Sequence, residues 1–174
     1  MIVYISGHHG SSEPLIGSKN ELMSTPLHCL KIKLLRPEAK VPAYAHPGED
    51  AAFDIFSCEE ATIMPGKQRN FQAGIASEFP SDYWLKIEAK SGPAMAFGIT
   101  VIGGVIDAGY RGEWVIMLAN LGEMPWTVAK GSAIAQGVLH LRPGFMITVT
   151  DRLERSGRGE YGLGSGHQTA LPLP

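Results

Sequence analysis

A single acidic residue near the middle of the chain follows two β-branched side chains and precedes a polar turn. Asp107 is followed within four residues by Tyr110 and Arg111. A carboxylate that apolar neighbours partly screen from water is suited to act as a general base. These residues therefore indicate acid–base chemistry at a turn. The alternative is a surface turn in which aspartate and glycine supply only turn geometry.

The segments that flank Asp107 predict a β-hairpin with this acidic turn at its tip. Residues 101–106 and 114–120 are rich in apolar β-formers, and the loop between them carries Asp, Tyr and Arg. Gly104 stands just before the acid, where the lack of a Cβ would let the backbone approach a flat ligand.

A second group of polar residues suggests phosphate binding. Lys90, Ser91 and Gly92 precede a short apolar stretch that can form about one helical turn, for which we expect Ser91 to be the cap. Backbone amides, a hydroxyl and an ammonium at a helix start can bind a phosphate. The alternative is an ordinary capped turn.

Asp54 is unusual because it lies between Phe53 and Ile55 in an apolar segment. Burying a carboxylate is costly unless it is paired, hydrated or linked to a metal. The alternative is that Asp54 lies on the solvent face of its strand.

Short apolar or alternating segments separated by Gly and Pro predict an all-β sandwich or barrel, since no helical period extends over ten residues. We predict a flexible extension at 1–27, a β domain at 28–152 and a flexible arm at 153–174. The glycine- and arginine-rich stretch 155–166 suits an arm that orders over an anionic ligand, or a disordered tail. The predicted strands cover 28–34, 51–57, 68–76, 82–89, 133–141 and 145–150.

The composition excludes several classes of function. The 174 residues carry a net charge of −2, which gives no case for binding nucleic acid or an anionic membrane. Cys29 and Cys58 do not make a disulfide framework and are expected to be free thiols. No apolar run approaches the roughly 20 residues of a membrane span. We therefore expect a cytoplasmic protein.

Five segments in order resemble the trimeric deoxyuridine triphosphatase (dUTPase) family. The first four are Ala-Ala-Phe-Asp-Ile at 51–55, Lys-Ser-Gly at 90–92, the acidic segment 104–113, and Gly-Ser-Ala-Ile-Ala-Gln at 131–136. The fifth is Arg-Gly-Glu-Tyr-Gly-Leu-Gly-Ser at 158–165. The resemblance implies a distorted jelly roll or β-barrel of the β-clip type, forming a homotrimer whose C-terminal arms are exchanged between subunits. It also implies hydrolysis of dUTP to dUMP and pyrophosphate with Mg²⁺.

The same resemblance implies a role for each matching residue. Asp107 would activate the attacking water, and Asp54 would lie near the metal, acting through water. Tyr110 would pack under the deoxyribose, where a ribose 2′-hydroxyl would clash. The residues implied to contact uracil and sugar are Val101, Gly104, Val105, Ile106, Tyr110 and Leu163. Those implied to hold phosphates are Lys90, Ser91, Gly92, Gln136, Arg158, Gly164 and Ser165.

Two departures from the family's usual residues keep other functions open. Leu163 replaces the usual stacking Phe, and Ala133 replaces the usual Arg, so a catalytically weak nucleotide-binding or regulatory protein is one alternative. A dCTP deaminase is less favoured, because Met117 stands where that group has its catalytic Glu. A purely structural jelly roll is the third alternative. It is disfavoured because such a protein does not need an acidic hairpin.

Overall fold

The computed structural model of the protein describes residues 28–159. The chain divides into two compact units, Met1–Arg142 and Pro143–Pro174, which are described separately. Within the part described, no helix is long and apolar enough to cross a membrane.

The described part of the first unit contains short strands and one short helix, as the all-β prediction requires. The strands are β1 (Lys31–Leu34), β2 (Phe53–Phe56), β3 (Ala61–Ile63), β4 (Gln68–Gln72), β5 (Ile75–Glu78), β6 (Tyr83–Ala89), β7 (Ile99–Val101), β8 (Val105–Asp107), β9 (Val115–Asn120), β10 (Trp126–Val128) and β11 (Ala133–Leu141). The helix, α1, is Ser91–Phe97.

The strands form four antiparallel sheets. A four-stranded sheet has the order β2-β11-β6-β8, and a three-stranded sheet has the order β4-β9-β7. Strands β1 and β5 form one pair, and β10 and β3 form another. Connections therefore pass repeatedly from sheet to sheet, which brings residues distant in sequence together.

The core is made by the inward faces of these strands. In β9, Ile116, Leu118 and Asn120 are buried while Val115 and Met117 are exposed, which is the period-two pattern of a strand with one face in the core. The largest fully buried side chains are Trp114, Phe71, Ile55, Ile63, Ile75, Leu85, Ile116, Leu118 and Ile134. This core fixes the frame from which the polar loops project.

The prediction of a β-hairpin with Asp107 at its tip is wrong, because the two strands that flank this turn do not pair with each other. Strand β8 pairs with β6, whereas β9 pairs with β4 and β7, so the segment 108–114 passes between two sheets. The tight turn lies earlier, between β7 and β8, where Gly103 and Gly104 adopt positive φ values of 84° and 85°. Glycine tolerates this backbone conformation best, so the chain reverses there instead.

Two predicted strand boundaries also differ from the structure. The segment 68–76 is two strands, because Gly74 between them has a φ of 69° and lies outside the ladder. The amino-terminal strand begins at Lys31, and its last residue, Leu34, is 47% exposed.

In the second unit, the predicted strand at 145–150 is wrong. Residues 143–150 have no strand partner, and Phe145, Ile147 and Val149 are 84–99% exposed. A strand needs a neighbouring strand to satisfy its backbone groups, so the alternating pattern alone does not form one.

Candidate functional site

Three of the predicted phosphate and metal residues meet at one end of the four-stranded sheet. Asp54 on β2 and Gln136 on β11 are direct cross-strand partners. The Lys90 ammonium donates a hydrogen bond to Asp54 Oδ1 and forms an ion pair with it. Gln136 Nε2 donates to the carbonyl of Ala89 at 3.1 Å. Sequence-distant carboxylate, ammonium and amide groups are thus assembled in one cluster, which we call the polar cluster (Asp54, Lys90 and Gln136).

Helix α1 begins immediately after this cluster. Its N-cap is Lys90, with φ −76° and ψ 137°, and no side chain caps the helix. The prediction that Ser91 is the cap is therefore wrong, because Ser91 is already the first helical residue. Ser91 and Gly92 lie in the first turn, where backbone N–H groups have no acceptor within the helix.

The acidic segment is braced by its own hydrogen bonds. Asp107 is exposed at the end of β8, and its carbonyl accepts a bond from the Tyr110 amide at 3.0 Å. The Tyr110 hydroxyl donates to the carbonyl of Glu113 at 2.9 Å. Gly112 leaves room for this arrangement, since a Cβ there would lie only 2.5 Å from Tyr110 Cζ. Arg111 donates to the carbonyls of Ala108 and Tyr110. The loop therefore presents a carboxylate beside a fixed aromatic ring.

A pocket of about 250 Å³ opens beside this ring. Its lining residues are Val105, Ile106, Asp107, Tyr110, Trp114, Val115 and Met117. Four of the residues predicted for catalysis or base and sugar binding are thus brought together. Val101 and Gly104 do not line it. They pack closely instead, since a Cβ on Gly104 would come within 3.2 Å of Val101 and 2.9 Å of the Ile87 carbonyl.

The polar cluster and the acidic segment lie on the same face of the four-stranded sheet but at opposite ends. Asp107 is opposite Trp84 on β6, and Gln136 is opposite Glu88 on the same strand. Their positions therefore differ by four residues along β6 and by two strand spacings across the sheet. This geometry puts the Cα atoms of Asp107 and Gln136 about 16 Å apart. Within one chain, Asp107 therefore does not lie next to the side chains predicted to bind phosphate.

Three predicted residues, Leu163, Gly164 and Ser165, lie outside the described residues. Arg158 is described and exposed, within the second unit.

Comparison with known proteins identifies the chain. A family model described as dUTPase matches residues 38–167. The chain belongs to the dUTPase family. It is 44% identical over 140 residues to the deoxyuridine 5′-triphosphate nucleotidohydrolase of Clostridium tetani, covering 79% of this chain and 96% of that protein. The corresponding protein of Clostridium kluyveri is 38% identical over 138 residues, with 78% and 96% covered.

Solved dUTPase structures are similar in fold. The dUTPase of Staphylococcus bacteriophage 80alpha with dUPNHPP has a TM-score of 0.73 and 27% identity, covering 79% of this chain and 97% of that one. A phage phi11 dUTPase, described as coordinating a structural Mg(II) ion, has a TM-score of 0.67 and 22% identity. The match covers 73% of this chain and 99% of the phage phi11 chain.

The donor set of this dUTPase chain suits a magnesium ion carried by a substrate. Among the described residues, no group of three or more His, Cys, Asp or Glu side chains could enclose a metal. Mg²⁺ keeps several waters and is typically bound by one or two carboxylates together with substrate phosphates. Asp54, with its side chain 22% exposed beside Lys90, fits the role of that single carboxylate.

One residue of the dUTPase motif carries contacts that sequence reasoning did not assign. Glu113 receives hydrogen bonds from Arg36 at 3.1 and 2.8 Å and from the Gly74 amide at 2.9 Å. The Glu113 carboxylate also raises the pKa of Arg36, chiefly through this hydrogen bond. Its place directly after an Arg-Gly turn was visible in the sequence, but its partners, 39 and 77 residues away, were not.

Proposed function

We propose that this dUTPase-family chain hydrolyses dUTP to dUMP and pyrophosphate. The observation that carries the proposal is the pairing, on one sheet face, of a pocket holding Asp107 and Tyr110 with a polar cluster suited to phosphates. The named dUTPase relatives support it, because they match this chain over most of both lengths.

In the proposed reaction, water attacks the α-phosphate in line with the departing pyrophosphate. The Asp107 carboxylate accepts the proton of that water. Exposure of Asp107 at the end of β8 leaves it open to such a water. Phosphoryl transfer depends on positioning and charge neutralisation more than on a covalent nucleophile.

Lys90, Ser91, Gly92 and Gln136 would hold the phosphates. Mg²⁺ bound to the triphosphate would neutralise negative charge, with Asp54 reaching it through water. The fold's likeness to a phage dUTPase with a structural Mg(II) ion is consistent with a divalent metal in this family.

Selectivity for the base and sugar would reside in the pocket and in the backbone of the β7–β8 turn that leads into it. Backbone near Val101, Gly104 and Ile106 would read the uracil edge, and a narrow slot admits a pyrimidine more readily than a purine. The Tyr110 ring would exclude a ribose 2′-hydroxyl. Leu163 would cover the base without aromatic stacking.

A homotrimer would complete each site. The separation of about 16 Å between Asp107 and Gln136 supports a site that is shared between copies. A head-to-tail interface would bring Asp107 of one copy to the polar cluster of the next, and three copies form a ring when the rotation between neighbours closes. Val105, 62% exposed on the same sheet face, suits burial there.

The remaining parts of the chain complete the proposed assembly. The C-terminal arm, 153–174, would cross to another copy, where Arg158, Gly164 and Ser165 would close over the γ-phosphate. Residues 28–152 would form the β domain and 1–27 an extension. We retain cytoplasmic location as a prediction.

The test is an assay of the purified protein with dUTP, dCTP, dTTP and UTP in the presence of Mg²⁺. We expect pyrophosphate and dUMP from dUTP alone. Absence of dUTP cleavage would refute the proposal and favour a nucleotide-binding protein without catalysis, whereas release of ammonia from dCTP would favour a deaminase.

Replacing Asp107→Asn keeps the side chain's shape but removes the base. We expect kcat for dUTP to fall at least about 1,000-fold, at the upper part of the range for losing a general base. The variant should retain the wild-type circular dichroism spectrum and native mass. Substantial turnover by Asp107→Asn would show that another group activates the water.

A further inference from the structure

We propose that Glu113 is a positioning residue that holds Tyr110 and Asp107 in their working arrangement and thereby sets the preference for dUTP over UTP. This inference rests on the proposed function, because it assigns the exclusion of ribose to Tyr110.

The Glu113 carboxylate is held from three directions. Arg36 Nε donates to one oxygen at 3.1 Å, and Arg36 Nη2 donates to the other at 2.8 Å. The Gly74 amide donates at 2.9 Å. The Gln72 amide is oriented with its nitrogen toward this carboxylate, because only that orientation pairs a donor with the two acceptors. The nitrogen then lies 3.3 and 2.9 Å from the two Glu113 oxygens. A carboxylate that accepts this many charge-assisted and backbone bonds has a fixed position.

The Gln72 and Gly74 donors belong to packed parts of the fold, since Gln72 is the last residue of β4. Gly74 is buried between β4 and β5, and a Cβ there would collide with the Cys58 sulfur and come within 2.8 Å of Ala39 Cβ. The backbone next to Glu113 is also fixed, because the Trp114 amide donates to the Ile75 carbonyl at 2.8 Å. Glu113 therefore ties the end of the acidic segment to the core.

The other end of this connection is the Tyr110 ring. The Tyr110 hydroxyl donates to the main-chain carbonyl of Glu113 itself, and the Tyr110 amide donates to the Asp107 carbonyl. A displacement of Glu113 is thus passed to the ring and then to the backbone of the base. Among the described residues, the Glu113 carbonyl is the hydrogen-bond acceptor of the Tyr110 hydroxyl.

Position matters here because the ring would act by exclusion. A wall that rejects one hydroxyl discriminates only while it stays within contact distance of the sugar. A displacement of about 1 Å in an active site can change rates by about 100-fold. A shift of Tyr110 should therefore relax discrimination against UTP as well as lower the rate with dUTP.

A role confined to folding would give a different result. Loss of folded protein lowers the rates with dUTP and UTP by the same factor and leaves their ratio unchanged. The ratio of kcat/KM for dUTP to that for UTP is therefore the decisive quantity.

The experiment compares three variants with the wild type at fixed Mg²⁺. Glu113→Gln removes the charge and turns its new amide NH2 toward a donor of Arg36 in either orientation, while Arg36→Met removes only the outer ion pair. Lys130→Gln is the matched control, because it removes a surface ion pair with Glu38 at 3.7 Å. Kinetic constants for both nucleotides and the thermal unfolding midpoint are measured for each protein.

We expect the dUTP-to-UTP ratio to fall at least about 10-fold in Glu113→Gln and about 3-fold in Arg36→Met. Lys130→Gln should keep the wild-type ratio. The fall should arise partly from a higher KM for dUTP, because the sugar contact is made on binding.

An unchanged ratio in folded Glu113→Gln would overturn the inference. If Glu113→Gln does not fold, an unchanged ratio in Arg36→Met would overturn it instead. Failure of the wild type to cleave dUTP would refute the proposed function and this inference with it, whereas wild-type cleavage with unaltered variant ratios refutes the role of Glu113 alone.

Discussion

Lys90 is held in place before any triphosphate binds. An ammonium has three donors, and Asp54 takes one of them. The remaining donors and the exposed quarter of the Lys90 side chain are available to phosphate oxygens. Under the proposed function, Asp54 would orient Lys90 for a phosphate while its own carboxylate could still reach a hydrated metal.

The two thiols of this chain should differ strongly in reactivity. Cys29 is exposed and Cys58 is buried, and burial is the main cause that raises the pKa of Cys58. Thiol titration of the native protein at pH 8 should modify Cys29 alone, because the thiolate is the reactive form. Cys58 should react after unfolding in urea.

The raised pKa of Cys58 also has a consequence for stability. The neutral Cys58 thiol makes its full contribution to the free energy of unfolding below the thiol's unfolded pKa, and this contribution is lost as pH rises through the higher folded pKa.

The control for the labelling experiment is Cys29→Ser, which should show no rapid labelling. Rapid labelling of Cys58 in native Cys29→Ser would contradict its burial.

The sequence alone shows which residues are chemically unusual, but it does not show which residues they contact. Asp54 stood out because an acid in an apolar strand needs a partner, and the structure supplies Lys90, 36 residues later. Which cation fills that role depends on strand order. Glu113 gave no comparable signal, since an acid after a turn is ordinary until Arg36 and Gly74 are known to face it.

At the scale of elements, the link between β8 and β9 determines how the pocket is built. The chain leaves the four-stranded sheet after Asp107 and enters the three-stranded sheet at Val115. Runs of apolar β-formers predicted strands on both sides of Asp107 but not their separate partners, because strand pairing is set by contacts far apart in sequence. The same limit explains the wrong strand at 145–150.

Asn120 stabilises the end of β9 and should be costly to replace. It is fully buried, and its amide donates to the carbonyls of Ile63 and Met124 while its oxygen accepts from the Gly122 amide. Asn120→Ala should lower the free energy of unfolding by about 3 kcal/mol, because one buried and two partly buried hydrogen bonds to the backbone are lost. Urea unfolding at fixed protein concentration measures this.

Asn70→Ala is the matched control, since Asn70 is exposed on β4. That change should alter the free energy of unfolding by less than about 0.5 kcal/mol. An equal effect of the two substitutions would show that burial of Asn120 is not the cause.

At the scale of the whole molecule, one face of the four-stranded sheet carries both halves of the proposed site. Lys86 and Glu88 form an ion pair between the two ends, so the intervening surface is polar with Val105 at its edge. The family resemblance predicted the residues, and one chain alone does not bring them together. The distance between the halves is the reason we propose that each site is completed by a second copy.

This requirement predicts that two inactive variants restore activity when they are assembled together. Asp107→Asn keeps the polar cluster, and the double variant Lys90→Gln with Ser91→Ala keeps the acidic segment. If neighbouring copies share each site, refolding the two at equal amounts should give about a quarter of wild-type activity, because about one interface in four pairs two intact halves. Activity is measured with dUTP below KM, where weakened phosphate binding has its full effect.

Each variant refolded alone is the control and should stay below about one hundredth of wild-type activity, since it lacks an intact half at every interface. Mixing the two without unfolding should restore nothing at first, and recovery should then follow the rate of subunit exchange. A mixture that refolds to the same native mass yet gains no activity would place Asp107 and Lys90 in sites formed within one chain. That outcome would require the 16 Å between the two halves to close by a rearrangement of the sheet, which the hydrogen-bonded register of β6 with β8 and β11 opposes.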